Sequence, residues 1–189
     1  MKPPANPRRV VVFGGSSPKP GDEEWEQAES LGRAIAASGW SLVTGGYGGV
    51  MEAASAGARS EGGEVVGVLC KVFGGAGNRY LTRRIVSPDL YSRLQQLVDL
   101  GDAYVALPGS TGTLVELAMV WELMNKRLVA LRPIYCLGEF WRPVVSMFSD
   151  ELTHDPRFES RGLPDRKGGL IEMARSPDEI IRGLSHNWN

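Results

Sequence analysis

The sequence predicts a doubly wound α/β fold, a mainly parallel sheet flanked by helices, on three observations. Short β-branched runs bounded by glycine alternate with longer helical patterns, the arrangement of consecutive βαβ units. Right-handed crossovers then wind one half of the sheet away from the first strand and bring the other half back across it. Glycine-rich segments follow the first, second and fourth runs, at the strand ends where such sheets bind ligands. A chain of 189 residues is long enough for one domain with a full core.

The elements follow in order. Residues 1–8, polar and proline-rich, form an expected flexible tail ahead of a single domain over 9–189. The first strand, 9–14, holds the apolar run VVVF, too short for a signal peptide or a membrane span. Helical patterns over 23–37 and 49–61 bracket a strand at 41–44, and a third strand occupies 64–69. Residues 70–87 are too irregular for a long helix and carry Arg79, Arg83 and Arg84, so a connector or a ligand-facing loop is expected there. A helix over 88–100 leads to a fourth strand, 103–107, and a helix over 112–126. A fifth strand is expected at 128–131, with IYCLG from Ile134 extending or following it. Helices over 140–148 and 177–184 complete the chain.

Charge and cysteine content exclude several classes. Formal net charge is −1, with 21 basic against 22 acidic residues, so no global basic field draws the chain to nucleic acid. No segment is a membrane span, and any anion site must be local. Cys70 and Cys136 lie far apart without metal-type spacing, which predicts reduced thiols, a cytoplasmic protein and no metal site. His154 and His186 fall in a polar C-terminal region, outside the expected crevice.

In a doubly wound sheet the fourth strand lies beside the first, so the loops after them face each other across a crevice. One loop carries Gly14, Gly15, Ser16 and Ser17; the other carries Pro108, Gly109, Ser110, Thr111, Gly112 and Thr113. Glycines let backbone approach an anion, hydroxyls add donors, and the amides at a helix start favour negative charge. Without the P-loop lysine, a monophosphate or pyrophosphate suits these loops better than a triphosphate with magnesium. A tight turn with a Ser or Thr cap accounts equally for the second loop taken alone. The segment TGGYGG adds Gly45, Gly46 and Gly48 at a second helix start. No acidic residue ends the second strand, which disfavours NAD.

Glu116 is the only polar residue between Leu114 and Trp121, and on a helix it shares a face with Gly112 and Thr113. Its side chain leans back toward the loop. Burying a carboxylate demands a donor, a cation or a raised pKa, and each suits either a catalytic acid or base or a structural ion pair. Arg93, early in the preceding helix, is the candidate cation. Glu52 and Tyr91 are weaker candidates, read as helix-surface and packing residues.

These segments resemble, in order and spacing, the Lonely Guy (LOG) family of Rossmann-like proteins, over about residues 10–129. The family's PGGxGTxxE hallmark is similar to PGSTGTLVE here, with Ser110 in place of the second glycine and the carboxylate at Glu116. Its DMHxRK arginine matches Arg93 in DLYSRL, while Tyr91 and Leu94 replace the family's histidine and lysine. Its GGGxxGLMG segment resembles TGGYGGVME, which ends in Glu52 where the family has glycine. The best-known activity of the family is cytokinin riboside 5′-monophosphate phosphoribohydrolase. The resemblance therefore implies a nucleotide ligand, catalytic Glu116 and Arg93, no cofactor, and a homodimer packed through helices around the site. It also leaves a second expectation, a non-catalytic carrier or sensor of a nucleotide or molybdenum-cofactor-type ligand, because the departures alter site positions.

Overall fold

The computed structural model describes residues 7–153 and 169–188. Residues 1–6 of the expected tail at 1–8, and His154, lie outside them. Among the described residues, seven parallel strands form one sheet in the order β4-β3-β2-β1-β5-β6-β7, flanked by six α-helices. In chain order these are β1 (Arg9–Phe13), α1 (Glu23–Ala37), β2 (Ser41–Thr44), α2 (Val50–Ser60), β3 (Val65–Cys70) and β4 (Arg83–Ser87). There follow α3 (Leu90–Leu100), β5 (Ala103–Ala106), α4 (Thr111–Asn125), β6 (Ile134–Leu137), α5 (Arg142–Thr153), β7 (Ile171–Ala174) and α6 (Pro177–Trp188).

The centre of the sheet is where the sequence is most apolar. Val10, Val11 and Val12 of β1 are fully buried because helices cover both faces, so the strand has no polar side to show. Val10 and Val12 pack toward Leu31 and Ile35 of α1 and Ala53 and Ala54 of α2. Val11 and Phe13 pack on the opposite face with Leu97 of α3 and Leu117 and Val120 of α4. Cys70 and Cys136 are both free and buried, and burial pushes the Cys136 thiol up to about 12. It stays protonated and inert at neutral pH.

Three expectations about strands are corrected. Residues 70–87 are not wholly irregular: a 3-10 turn at Lys71–Phe73 precedes β4, which pairs in parallel with β3 at the sheet edge. Its sequence, RRIVS, hides this because an edge strand leaves most side chains in solvent. The expected strand at 128–131 does not form. Leu128 and Leu131 are exposed in a connector that leaves α4 through Arg127 at a φ of 55°, and the strand is IYCL, Ile134–Leu137. The last strand, β7, buries only the first and last of its four residues, too few for an apolar run to show. Helix ends move by a few residues; α3 starts at Leu90 rather than at 88 because Asp89 caps it, accepting from the Ser92 amide at 2.8 Å. That bond is the largest influence holding the Asp89 carboxyl below its ordinary pKa.

Among the described residues no helix is long and apolar enough to cross a membrane. The topology has one switch point, between β2–β1 and β5–β6, and there the expected pairing is found. Register Val12↔Val105 and Phe13↔Ala106 brings the ends of β1 and β5 side by side. Whatever those strands' following loops do, they do together.

Candidate active site

The two crevice loops are joined by backbone. Gly15 N donates to Pro108 O at 2.9 Å, and Leu107 N to Phe13 O at 2.9 Å. Gly15 O in turn accepts from Val50 N at 2.9 Å, which ties the start of α2 to the same loop. Gly49 permits this approach: its φ is 65°, and a Cβ there would overlap Gly15 O. Ser16, Ser17, Ser110, Thr111 and Gly112 are exposed around the junction, whereas Thr113 is buried. Gly109 has no room for a side chain, since a Cβ would overlap Thr113 Oγ1 and stand 2.9 Å from Gly15 N.

Ser110 is the N-cap residue of α4 but makes no side-chain cap bond, so its hydroxyl is not committed to the helix. The amides of the first turn, Thr111 to Thr113, lack carbonyl partners one turn back and carry the positive end of the helix dipole. A mouth formed by these amides and five exposed small residues has the chemistry to receive an oxyanion. Trp141, from the start of the β6–α5 region, braces the loop from below by donating Nε1 to Leu107 O at 2.9 Å.

Glu116 stands one turn into α4, and Arg93 one turn into α3. Arg93 Nη1 donates to Glu116 Oε1 at 3.0 Å, and Arg93 Nε donates to Val68 O at 2.9 Å. Only 7 % of the Arg93 side chain and 11 % of the Glu116 side chain are exposed. Burial raises the Glu116 pKa above its ordinary value; the Arg93 charge and hydrogen bond lower it, but burial wins. Glu116 Oε2 takes no hydrogen bond among the described residues, so one oxygen is held and the other is open.

Gly45 leaves the space that Arg93 fills: a Cβ at residue 45 would overlap Nη2 and come within 2.7 Å of Met51 Sδ. The guanidinium also lies 6.0 Å from the centre of the Tyr47 ring. Fixed at Val68, Glu116 and the Gly45 backbone, Arg93 has little freedom to follow a ligand.

The structure thus brings together Gly14 to Ser17, Pro108 to Thr113 and Gly45 to Gly48 at one end of the sheet, with Arg93 and Glu116 paired beside them. Of the weaker candidates, Tyr91 is 84 % exposed. Glu52 lines a cleft on the α1–α2 side. His186 is exposed on the last helix, apart from the crevice.

Sequence reasoning missed two residues that shape the glycine loop. Buried Asn78, from the segment before β4, braces that loop: its Nδ2 donates to Tyr47 O at 3.0 Å, and its backbone N–H donates to Gly46 O at 2.8 Å. Tyr47 Oη accepts from Cys70 N at 2.8 Å and donates to Cys70 O at 3.2 Å. The only available signal was a Tyr between glycines and an Asn after one, which turn propensity explains as well. Among the described residues no group of three or more His, Cys, Asp or Glu is placed to hold a metal ion.

Comparison with known proteins finds relatives over most of the chain. A cytokinin riboside 5′-monophosphate phosphoribohydrolase of Rhodococcoides fascians is 38 % identical over 184 residues, covering 90 % of this chain and 91 % of that one. The enzyme of the same name from Mycobacterium marinum is 36 % identical over 132 residues, 66 % of this chain and 70 % of that one. Among solved structures, the molybdenum cofactor binding protein from Rippkaea orientalis superposes with a TM-score of 0.72 at 25 % identity, covering 98 % of this chain and 99 % of that one. The model of the SLOG cluster4 family matches residues 7–157, which include every residue of the crevice, and the chain belongs to that LOG-type family.

Proposed function

We propose that the protein hydrolyses the N-glycosidic bond of a nucleoside 5′-monophosphate, AMP or a cytokinin riboside monophosphate, giving free base and ribose 5-phosphate. The observation that carries this reading is the buried Arg93–Glu116 pair with one carboxylate oxygen open, set one helical turn from an anion-receiving loop. The relatives named as phosphoribohydrolases support it.

In this reading the phosphate sits on Gly109 to Thr113, with Ser16 and Ser17 opposite. As the glycosidic bond breaks, the ribose ring gains oxocarbenium character, which a carboxylate in a poorly hydrated site stabilises strongly. Glu116 also accepts the proton of the attacking water through its open oxygen, and its raised pKa makes it a better base than a solvated carboxylate. Arg93 is the positioning residue: it holds Oε1, and its charge favours the ionised form of Glu116 against burial.

A homodimer completes the reading. Leu114, Ala118, Trp121, Val144 and Phe148 line an apolar groove of about 230 Å³ on the outer side of α4 and α5, and a second copy of this surface would cover it. Two buried free thiols fit a reducing cytoplasm.

Incubation with AMP and cytokinin riboside monophosphates, followed by chromatography of the free base, tests the hydrolase. Base release that depends on Glu116 supports it. Tight binding of the monophosphate without base release favours the second reading, carriage of a nucleotide or molybdenum-cofactor-type ligand, for which the likeness to the Rippkaea orientalis cofactor binding protein speaks.

A further inference from the structure

A nucleotide base is planar and apolar on its faces, and neither the anion-receiving loops nor the Arg93–Glu116 pair presents a ring to it. The chain between β3 and β4 does carry one at the same end of the sheet. Residues 70–78 leave β3 and return onto the glycine loop that follows β2, and one residue of that loop clasps both ends. At the outgoing end Tyr47 Oη accepts from Cys70 N at 2.8 Å and donates to Cys70 O at 3.2 Å. At the returning end Asn78 Nδ2 donates to Tyr47 O at 3.0 Å, and Asn78 N donates to Gly46 O at 2.8 Å.

Between the clasps the backbone presents side chains instead of burying them. The 3-10 turn Lys71–Phe73 ends at Gly74, and Gly74, Gly75 and Gly77 hold φ values of 70°, 79° and 77°, a left-handed run that reverses the chain. Val72 and Phe73 are left 72 % and 57 % exposed. The Phe73 ring is nevertheless supported: its centre lies 6.1 Å from that of Tyr47, with the planes inclined at 62°, an edge-to-face contact. The Tyr47 ring centre is in turn 6.0 Å from the Arg93 guanidinium, whose Nη1 is 3.0 Å from Glu116 Oε1. Successive contacts therefore run from an exposed ring to the buried ion pair. Tyr91 and Phe140 are exposed as well, but among the described residues Tyr47 is the ring that reaches Arg93.

We propose that Phe73, held out on this clasped turn, is the base-contact residue of the site, and that the planar heterocycle of the bound nucleotide stacks on its ring. The assignment rests on a nucleoside monophosphate as the occupant of the crevice. Stacking uses the π-face that every base has, so Phe73 favours a ligand with a base over one without and reads no donor or acceptor pattern on the base edge. Because Tyr47 fixes both ends of the turn before a ligand arrives, little ordering of the chain is left for the binding step.

Calorimetric titration of the Glu116→Gln protein with AMP and with ribose 5-phosphate tests this, since turnover is suppressed and the two ligands differ by the base. AMP should bind the tighter of the two. Adding Phe73→Ala should weaken AMP about tenfold, the usual order of loss when a base-stacking ring is truncated, and leave ribose 5-phosphate within about twofold. Adding Phe73→Tyr, which keeps the ring, should hold AMP within about twofold of the parent. AMP affinity untouched by Phe73→Ala, equal losses for the two ligands, no measurable AMP binding, or a loss in Phe73→Tyr as large as in Phe73→Ala would each overturn the proposal. Base release by the wild type, measured separately, keeps the two readings apart. Ring-dependent AMP binding without base release sustains this assignment and removes the hydrolysis, whereas base release with ring-independent binding does the reverse.

Discussion

Arg93 Nη1 stands 3.0 Å from Glu116 Oε1, and this contact ties the first turn of α3 to the second turn of α4. The pair is nearly buried, so neither partner is replaceable by water. Glu116→Gln keeps the shape and removes the negative charge. Base release should fall by about 10²–10⁴-fold, the usual contribution of a general base, while inorganic phosphate still binds within a few-fold of wild type. Product chromatography and a phosphate titration read the two quantities separately. Full turnover in this variant would remove Glu116 from the mechanism.

The pH dependence of stability follows from the raised Glu116 pKa. A carboxyl with a folded-state pKa above its unfolded value binds more protons in the native state between the two values, so stability falls as pH rises through that window. The contribution is complete below the unfolded value and lost above the folded one. Urea titrations of wild type and Glu116→Gln from pH 4 upward should show the wild type losing ground to the variant across that interval. A difference that runs the other way would mean that the Arg93 attraction outweighs burial.

Arg93→Lys tests positioning. A lysine supplies charge but cannot bond Val68 O and Glu116 at once in the planar geometry of a guanidinium. The acidic limb of the kcat/KM profile should move to higher pH, because the weaker hold on Glu116 leaves burial less opposed. A merely structural arginine would lower the melting temperature without moving that limb.

How much of this was legible in the sequence varies with the kind of contact. The three valines of β1 and the lone Glu116 in an apolar helix announce themselves, because burial leaves a local signature. The Arg93 match came from family resemblance, since nothing local distinguishes it from a surface helix arginine. β4 and the bracing residues Asn78 and Trp141 were not legible. An edge strand has no apolar run, and a side chain bonded to a carbonyl 31 or 34 residues away gives no periodic trace. A Ser or Thr cap accounts for the fourth-strand loop in sequence, yet Ser110, at the N-cap, makes no side-chain cap bond.

Gly45 shows how the site depends on an absent side chain. Its missing Cβ is occupied by Arg93 Nη2, and Arg93 is held on two other sides and cannot step back. Gly45→Ala should therefore destabilise the protein by about 1–3 kcal/mol, as overpacking does, and reduce turnover by displacing the Glu116 partner. Equilibrium denaturation and base release measure both. Unchanged activity with lowered stability would mean that the guanidinium position does not matter to the chemistry.

The α4–α5 groove yields the last prediction. Ala118 is exposed at its centre, between Leu114 and Trp121, and in the monomer a larger polar residue there meets only solvent. In the proposed dimer the same side chain is covered by a second copy, and two-fold symmetry doubles any charge placed there. Ala118→Glu should leave the melting temperature of the monomer within a few degrees but separate the subunits, as read by light scattering at micromolar concentration, because an unpaired carboxylate at a covered apolar surface is costly. If the wild type is dimeric and the variant remains so, the subunits meet through another face.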